Sequence, residues 1–137
     1  MAGPSNPNVS TLRDESKSSK HKMEVIRNVL NMPDIMAWAD LTVSAGGSTC
    51  WELAFMGLPA VVIVTAENQK GIASGSNEYG STINLGWYSD LGFAKISFVL
   101  EHVIKSFEKR ESMTLKGKEL VDGFGREKVN KKMKVTN

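Results

Sequence analysis

The sequence has one cysteine, Cys50, and lacks any apolar run long enough to cross a bilayer. A single cysteine cannot close an internal disulfide bond, which favours a reducing compartment over secretion. The first 22 residues are polar and contain no apolar segment of the kind that signal peptides carry. We therefore predict a cytoplasmic protein that does not span a membrane.

The chain also lacks a strong excess of either charge. Its 17 basic and 15 acidic residues give a formal net charge of +2, which is too small to predict a nucleic-acid partner. Basic residues gather between positions 126 and 134. A solvated helix face or a frayed tail explains them better than an anion-binding tail does.

Two common phosphate-binding motifs and all metal-ligand spacings are absent. No G-x-x-x-x-G-K-[ST] occurs, and the pair Gly123 and Gly125 lacks the third glycine and preceding strand of a dinucleotide fingerprint. His21 lies in a charged stretch and His102 on a long amphipathic helix, and neither has a spacing that suggests a metal site. Cys50 has no histidine in its own segment. We predict no metal, no cofactor, and a buried apolar role for Cys50.

Apolar segments that are present predict strands alternating with helices. The predicted strands are Glu24–Val29, "LTVSA", "AVVIVT" and "STINLG", and the most regular helical periodicity runs from Phe93 to Phe107. Helices of about ten residues between strands favour an α/β fold with a Rossmann-like parallel sheet and helices on both faces. We divide the chain into a polar N-terminal segment, residues 1–22, and one domain, residues 23–137.

A glycine pair follows the predicted strand "LTVSA". Gly46 and Gly47 lead into a helix for which Ser48 is the expected N-cap, and Gly57 is the expected stop. In an open parallel sheet, ligands collect at the carboxyl ends of the strands. Backbone N–H groups there, with the hydroxyls of Ser48 and Thr49 at the positive end of the helix dipole, suit a diphosphate.

An acid and two amides extend this pattern. Glu52 lies one helical turn after Ser48 and suits the two vicinal hydroxyls of a ribose, while Asn68 and Gln69 suit a sugar with hydroxyl and acetamido groups. Each feature also has a plainer explanation, as loop punctuation, a helix-surface acid or a helix cap. Together, at strand–helix–strand spacing, they favour a nucleotide sugar. The three tryptophans are expected in core or interdomain packing, with Trp87 left open as a stacking platform.

At these residues the sequence resembles a known family. The run "NMPDIMAWADLTVSAGGSTCWELAFMGLPAVVIVTAENQ" is similar to the C-terminal domain of GT-B enzymes that act on UDP-sugars. The segments "AGGSTCWELA", "ENQ", "GSTINLGW" and "LVDGFGREKV" further resemble the nucleotide-sugar hydrolase of pseudaminic acid biosynthesis, which releases a diacetamido trideoxy sugar from UDP. Spore-coat polysaccharide proteins and the glucosaminyltransferase that makes lipid II are relatives of that hydrolase.

The resemblance implies a role for each residue of the pattern. The loop 46–49 would hold the diphosphate, Glu52 the ribose, backbone near Ile35 the uracil, and Asn68 with Gln69 the sugar. Asn68 is the one residue that the resemblance would place in catalysis. Residues 3–6 would also approach the nucleotide.

The resemblance does not extend to a whole enzyme. These enzymes have two Rossmann-like domains, and the histidine that activates water lies in the N-terminal one, which His21 does not match. The first strand of the C-terminal domain is also not found. We therefore expect the chain alone to bind UDP weakly and not to hydrolyse a UDP-sugar. We also expect an unpaired sheet gap or edge that invites an N-terminal-domain partner chain or self-association. We predict the nucleotide-binding half of a UDP-sugar hydrolase that releases a diacetamido trideoxy sugar in pseudaminic acid biosynthesis. The alternatives are the donor-binding domain or subunit of a UDP-sugar glycosyltransferase and a non-catalytic, truncated binding protein.

Overall fold

The computed structural model describes residue 1 and residues 6–135, so residues 3–5 of the segment expected near the nucleotide lie outside the described residues. The described chain contains helices, three strands and two 3-10 turns. In order they are α1 (Val9–Ser18), α2 (Met32–Trp38), β1 (Thr42–Ala45), α3 (Thr49–Met56), β2 (Ala60–Val64), a 3-10 turn (Glu67–Gln69), α4 (Lys70–Tyr79), β3 (Thr82–Trp87), a 3-10 turn (Tyr88–Asp90), α5 (Phe93–Lys105), α6 (Phe107–Leu120) and α7 (Gly125–Val135).

Residues 1–35 and residues 36–137 are two compact units. In the first unit the predicted strand Glu24–Val29 is wrong, because only Arg27 makes an isolated β-bridge. The backbone of Asn28 has a φ of 51°, a left-handed conformation that interrupts an extended strand. Helix α1 lies within the polar N-terminal segment, residues 1–22.

The second unit contains a parallel sheet in the order β1-β2-β3. Thr42 of β1 lies opposite Ala60 of β2, which in turn lies opposite Thr82 of β3. The three later predicted strands are thus confirmed, and the α/β class with them. No helix in the described part of the chain is long and apolar enough to cross a membrane.

Helices cover both faces of this sheet. On one face, Val61 and Leu85 form the core with Val103 of α5 and Met113 of α6. Side chains alternate along a strand, so Thr82 points to the opposite face, where its hydroxyl lies 2.9 Å from Ser76 Oγ of α4. The sheet is therefore a layer between α4 and the α5–α6 pair, as predicted.

A β-bulge shapes the end of β3. Val62 pairs with Asn84 but Val64 pairs with Trp87, so β3 holds one residue more than β2 over the same length. Gly86 takes a φ of 97° within this extra length, a conformation that glycine adopts without strain. Because paired residues share a face, the bulge moves Trp87 to the α4 face instead of the core face of Leu85.

Gly57 ends α3, as expected from the sequence. Gly57 has a φ of 69° and its N–H donates to Ala54 O, which stops α3. Thr114 Oγ1 of α6 donates to Gly57 O at 2.8 Å, which ties α6 to the end of α3. Between α6 and α7 the chain contains Gly123, whose φ is 80°.

Candidate functional site

Two loops meet at the carboxyl edge of the sheet. The first follows β1 and contains Gly46 and Gly47 before α3 begins at Thr49. The second follows β2 and contains the 3-10 turn Glu67–Gln69. Since β1 and β2 are neighbouring parallel strands, their ends place both loops side by side.

Gly46 has a packing role. Its N–H donates to Ile63 O at 3.0 Å, which continues the β1–β2 pairing. A Cβ atom at Gly46 would lie 3.1 Å from Ala73 Cβ and 3.2 Å from Val62 Cγ1. Glycine therefore allows α4 to approach the sheet closely at this point.

Gly47 has no comparable role within the described structure. Its backbone φ is not positive. The nearest atom to an added Cβ would be Gln69 Nε2, at 3.9 Å. Neither backbone conformation nor packing requires a glycine at this position. The open space above Gly47 instead suits a ligand that approaches the backbone.

Gln69 links the two loops. Its Oε1 atom accepts hydrogen bonds from Thr65 N at 2.9 Å and from Thr65 Oγ1 at 3.1 Å. The backbone N–H donor fixes which end of the amide is the oxygen. Nε2 is therefore directed toward Gly47, where its two N–H donors can reach a ligand on the glycine loop.

The N-terminus of α3 adds further donors. Cys50 N donates to Gly47 O and Trp51 N donates to Ser48 O, each at 3.0 Å. Within residues 6–135, the N–H groups of Ser48 and Thr49 have no backbone acceptor, and the Ser48 side chain does not cap the helix. The expected cap bond is thus not made, and the Ser48 hydroxyl stays available beside the loop.

Glu52 and Asn68 flank this group of donors. Glu52 lies in the first turn of α3 and Asn68 in the 3-10 turn beside Gln69, and both side chains are exposed. Neither makes a hydrogen bond or ion pair with the residues that the structure describes. Ile35, predicted near the uracil, is half-buried in α2 and belongs to the first unit.

Lys70 is a residue that the sequence analysis missed. Its Nζ atom lies 5.0 Å from the centroid of the Trp87 ring and 2.8 Å from Glu67 Oε1. Tyr88 lies beside the same tryptophan, with ring centroids 5.7 Å apart. The position of Lys70 directly after Gln69 is the only sequence signal, because its contact with Trp87 depends on the bulge in β3.

Cys50 is buried beneath the glycine loop, as predicted. Its Sγ atom lies 3.8 Å from Ala45 O, and burial raises the pKa of the thiol. The protonated, uncharged thiol fills space at the start of α3. Cys50 therefore supports the loop rather than acting as a nucleophile.

A cavity in the second unit lies away from these loops. It has a volume of about 690 Å³ and is lined by Thr42 at the amino end of β1, by Leu100 and Ile104 of α5, by Arg110 of α6, and by the segment 38–41. None of the predicted site residues lines it. Trp38 in this segment is 84% exposed, so core packing is wrong for that residue. No group of metal-ligating side chains occurs in the described part of the chain.

Comparison with known proteins assigns the chain to a family. Residues 2–84 match the glycosyltransferase family 28 C-terminal domain, a span that includes the glycine loop and the amide turn. The chain is also 27% identical over 126 residues to the spore coat polysaccharide biosynthesis protein SpsG of Bacillus subtilis (strain 168). That alignment covers 91% of this chain and 37% of the relative, so the chain spans little more than a third of the relative's length. The family match covers more than half of the chain. The chain therefore belongs to the glycosyltransferase family 28 C-terminal domain family, and its α/β fold is that of a GT-B glycosyltransferase-like domain.

Proposed function

We propose that the chain is the donor-binding domain of a UDP-sugar glycosyltransferase. In this proposal the diphosphate lies on the glycine loop, Glu52 binds the ribose, and Asn68 and Gln69 meet the sugar. An acceptor hydroxyl would be supplied from a partner domain.

The relation between Gly47 and Gln69 carries the proposal. The backbone of Gly47 is open on the side where the ligand would bind. The amide nitrogen of Gln69 lies over this side, while the amide oxygen of Gln69 accepts a hydrogen bond from Thr65 N. This arrangement leaves the Gly47 backbone open to solvent in the free protein, and no packing contact in the described structure requires it. It is what a phosphate group needs in order to reach backbone N–H donors.

The same donors explain how transfer would be assisted. Breaking the bond between the sugar and UDP leaves negative charge on the diphosphate. N–H groups at the start of α3, with the positive end of the helix dipole and the Ser48 hydroxyl, would stabilise that charge as it develops. These neutral donors act without a metal ion.

The name of the relative indicates the kind of product into which the sugar would be transferred. SpsG is described as a spore coat polysaccharide biosynthesis protein. We infer that the transferred sugar enters a cell-surface polysaccharide or one of its precursors. The family match favours this transferase over a hydrolase.

Hydrolysis of a UDP-sugar in pseudaminic acid biosynthesis is the second candidate. The exposed side chain of Asn68 favours this candidate, because the resemblance to the hydrolase implies a catalytic amide at this position. The two candidates differ in the group that attacks the sugar. A complex with the partner domain that releases UDP in water alone would favour the hydrolase, whereas release that requires a hydroxyl acceptor would favour the transferase.

Titration of the chain with UDP, followed by two-dimensional amide NMR, tests the proposed site. We expect saturable shifts at the amides of residues 47–49. Glu52→Ala should weaken binding by about tenfold or more, as expected for lost charge-assisted hydrogen bonds. Glu78→Ala removes an exposed acid from α4 and is the matched control. Absence of any shift at residues 47–49 at millimolar UDP would contradict the proposal.

A further inference from the structure

Lys70 and Trp87 form a cation–aromatic pair at the same edge of the sheet as the glycine loop. The Lys70 ammonium lies 5.0 Å from the Trp87 ring centroid and is held by Glu67 Oε1 at 2.8 Å. Trp87 is the last residue of β3 and pairs with Val64, the last residue of β2. The pair therefore stands at the β3 end of an edge whose β1 end carries Gly47.

The spacing of the strands relates this pair to the proposed ligand. Two strand spacings, about 10 Å, separate the ends of β1 and β3. Glu52, assigned to the ribose, lies on α3 beside β1, so the nucleoside end of the ligand points away from β3. The sugar end is then directed past Gln69 toward Trp87, over a distance that a phosphate-linked pyranose covers.

We propose that Trp87 and Lys70 form a sugar-binding wall that gives the site a preference for a UDP-sugar over UDP. The electron-rich face of an indole attracts the C–H groups of a pyranose, as it attracts a cation. An ammonium group donates up to three hydrogen bonds, which suits sugar hydroxyls. This inference rests on the proposed function and adds to it the residues that select the sugar-bearing ligand.

Burial and location separate this pair from an ordinary surface contact. Trp87 is half-buried and fixed by the β3 ladder, while Lys70 is exposed. A second pair of the same kind, Lys116 over Tyr79 at 5.6 Å, lies at the other end of α4 from the site. Lys116→Ala is therefore a matched control for Lys70→Ala.

Titration with UDP and with UDP-N-acetylglucosamine, each followed by NMR, tests the inference on the full chain. Both ligands should shift the Gly47 amide, but the Trp87 indole N–H should shift with the UDP-sugar alone. The UDP-sugar should bind about two- to tenfold more tightly than UDP, the range of one aromatic contact. Trp87→Leu and Lys70→Ala should each reduce this advantage, Trp87→Phe should retain part of it, and Lys116→Ala should leave it unchanged.

The outcomes separate the wall from the site itself. A Gly47 shift with both ligands, together with an unmoved Trp87 indole and equal affinities, would overturn the wall while leaving the UDP site intact. A Gly47 amide that responds to neither ligand would overturn both proposals. Because Lys70 is exposed, its variant keeps the test valid even if Trp87→Leu fails to fold.

Discussion

Gly117 of α6 lies directly against the backbone of Ala54 in α3. A Cβ atom at Gly117 would be 3.0 Å from Ala54 O and 3.2 Å from Ala54 Cα. Two helices can approach this closely only where one of them presents no side chain. The contact is rigid on both sides, since backbone atoms cannot move aside as a flexible side chain does.

Gly117→Ala should therefore destabilise the protein, although alanine is the better helix former. We expect a loss of about 1–3 kcal/mol in the free energy of unfolding from overpacking, against a gain of less than about 1 kcal/mol in helix propensity. Urea denaturation monitored by circular dichroism measures the difference. Gly75→Ala in α4 is the control, because an added Cβ there meets nothing within 4 Å, and it should be neutral or stabilising. Equal stabilisation by both substitutions would contradict the close contact.

The two glycines of the site should separate stability from binding. Gly46→Ala places a methyl group against Ala73 and Val62 and should lower the free energy of unfolding by about 1–3 kcal/mol. Gly47→Ala adds a Cβ that meets only Gln69 Nε2, at 3.9 Å, and should change stability little, yet it should weaken UDP binding by about tenfold or more by blocking approach to the backbone. Thermal denaturation and UDP titration of both variants check this pattern. The opposite pattern would show that Gly47 is the structural glycine.

Cys50 should react slowly with thiol reagents in the folded protein. Burial raises its pKa above the ordinary value of 9.0, so less of the reactive thiolate is present at any pH near neutrality. For the same reason, the contribution of Cys50 to the free energy of unfolding is fully present below the pKa of the thiol in the unfolded chain. It is lost as pH rises through the higher pKa of the thiol in the folded protein. Ellman's reagent at pH 8, with and without denaturant, measures the difference in rate. Equal rates in the two conditions would show that the thiol is open to solvent.

Asp122 should show the opposite sign of pH dependence. Its hydrogen bond from Lys128, followed by that from Phe124 N, lowers the pKa of the carboxyl group below its ordinary value of 3.8. The stabilisation of the turn before α7 is present above the unfolded pKa and is lost as pH falls through the lowered folded value. An NMR pH titration of the carboxyl carbon measures the midpoint. Lys128→Ala should move that midpoint upward, and a midpoint at or above 3.8 in the unaltered protein would contradict the contact.

Much of the second unit could be predicted from local sequence. The continuous apolar run of β2, the periodicity of α5 and the stop at Gly57 each reflect physics that acts within a few residues. The strand expected at Glu24–Val29 failed because Asn28 adopts a left-handed backbone conformation, which no pattern of apolar residues reveals. Whether that segment pairs as a strand depends on neighbours that are distant along the chain.

The candidate site divides in the same way. Gly46, Gly47, Glu52, Asn68 and Gln69 could be proposed because strand–loop–helix order predicts which residues follow the strand ends. The separate roles of the two glycines could not, since they depend on how closely α4 approaches. The contact of Lys70 with Trp87 was equally hidden, because it depends on the register between β2 and β3.

The extra residue in β3 has a meaning for how related chains are compared. The extra residue reverses which face of the sheet the next side chain of the strand occupies. The aromatic ring of Trp87, which ends β3, therefore faces α4 rather than the core. In a relative without that residue, the side chain aligned with Trp87 would point into the opposite layer. A gap of one residue at Gly86 in an alignment would therefore mark a change in which side chain faces α4, not a change in loop length.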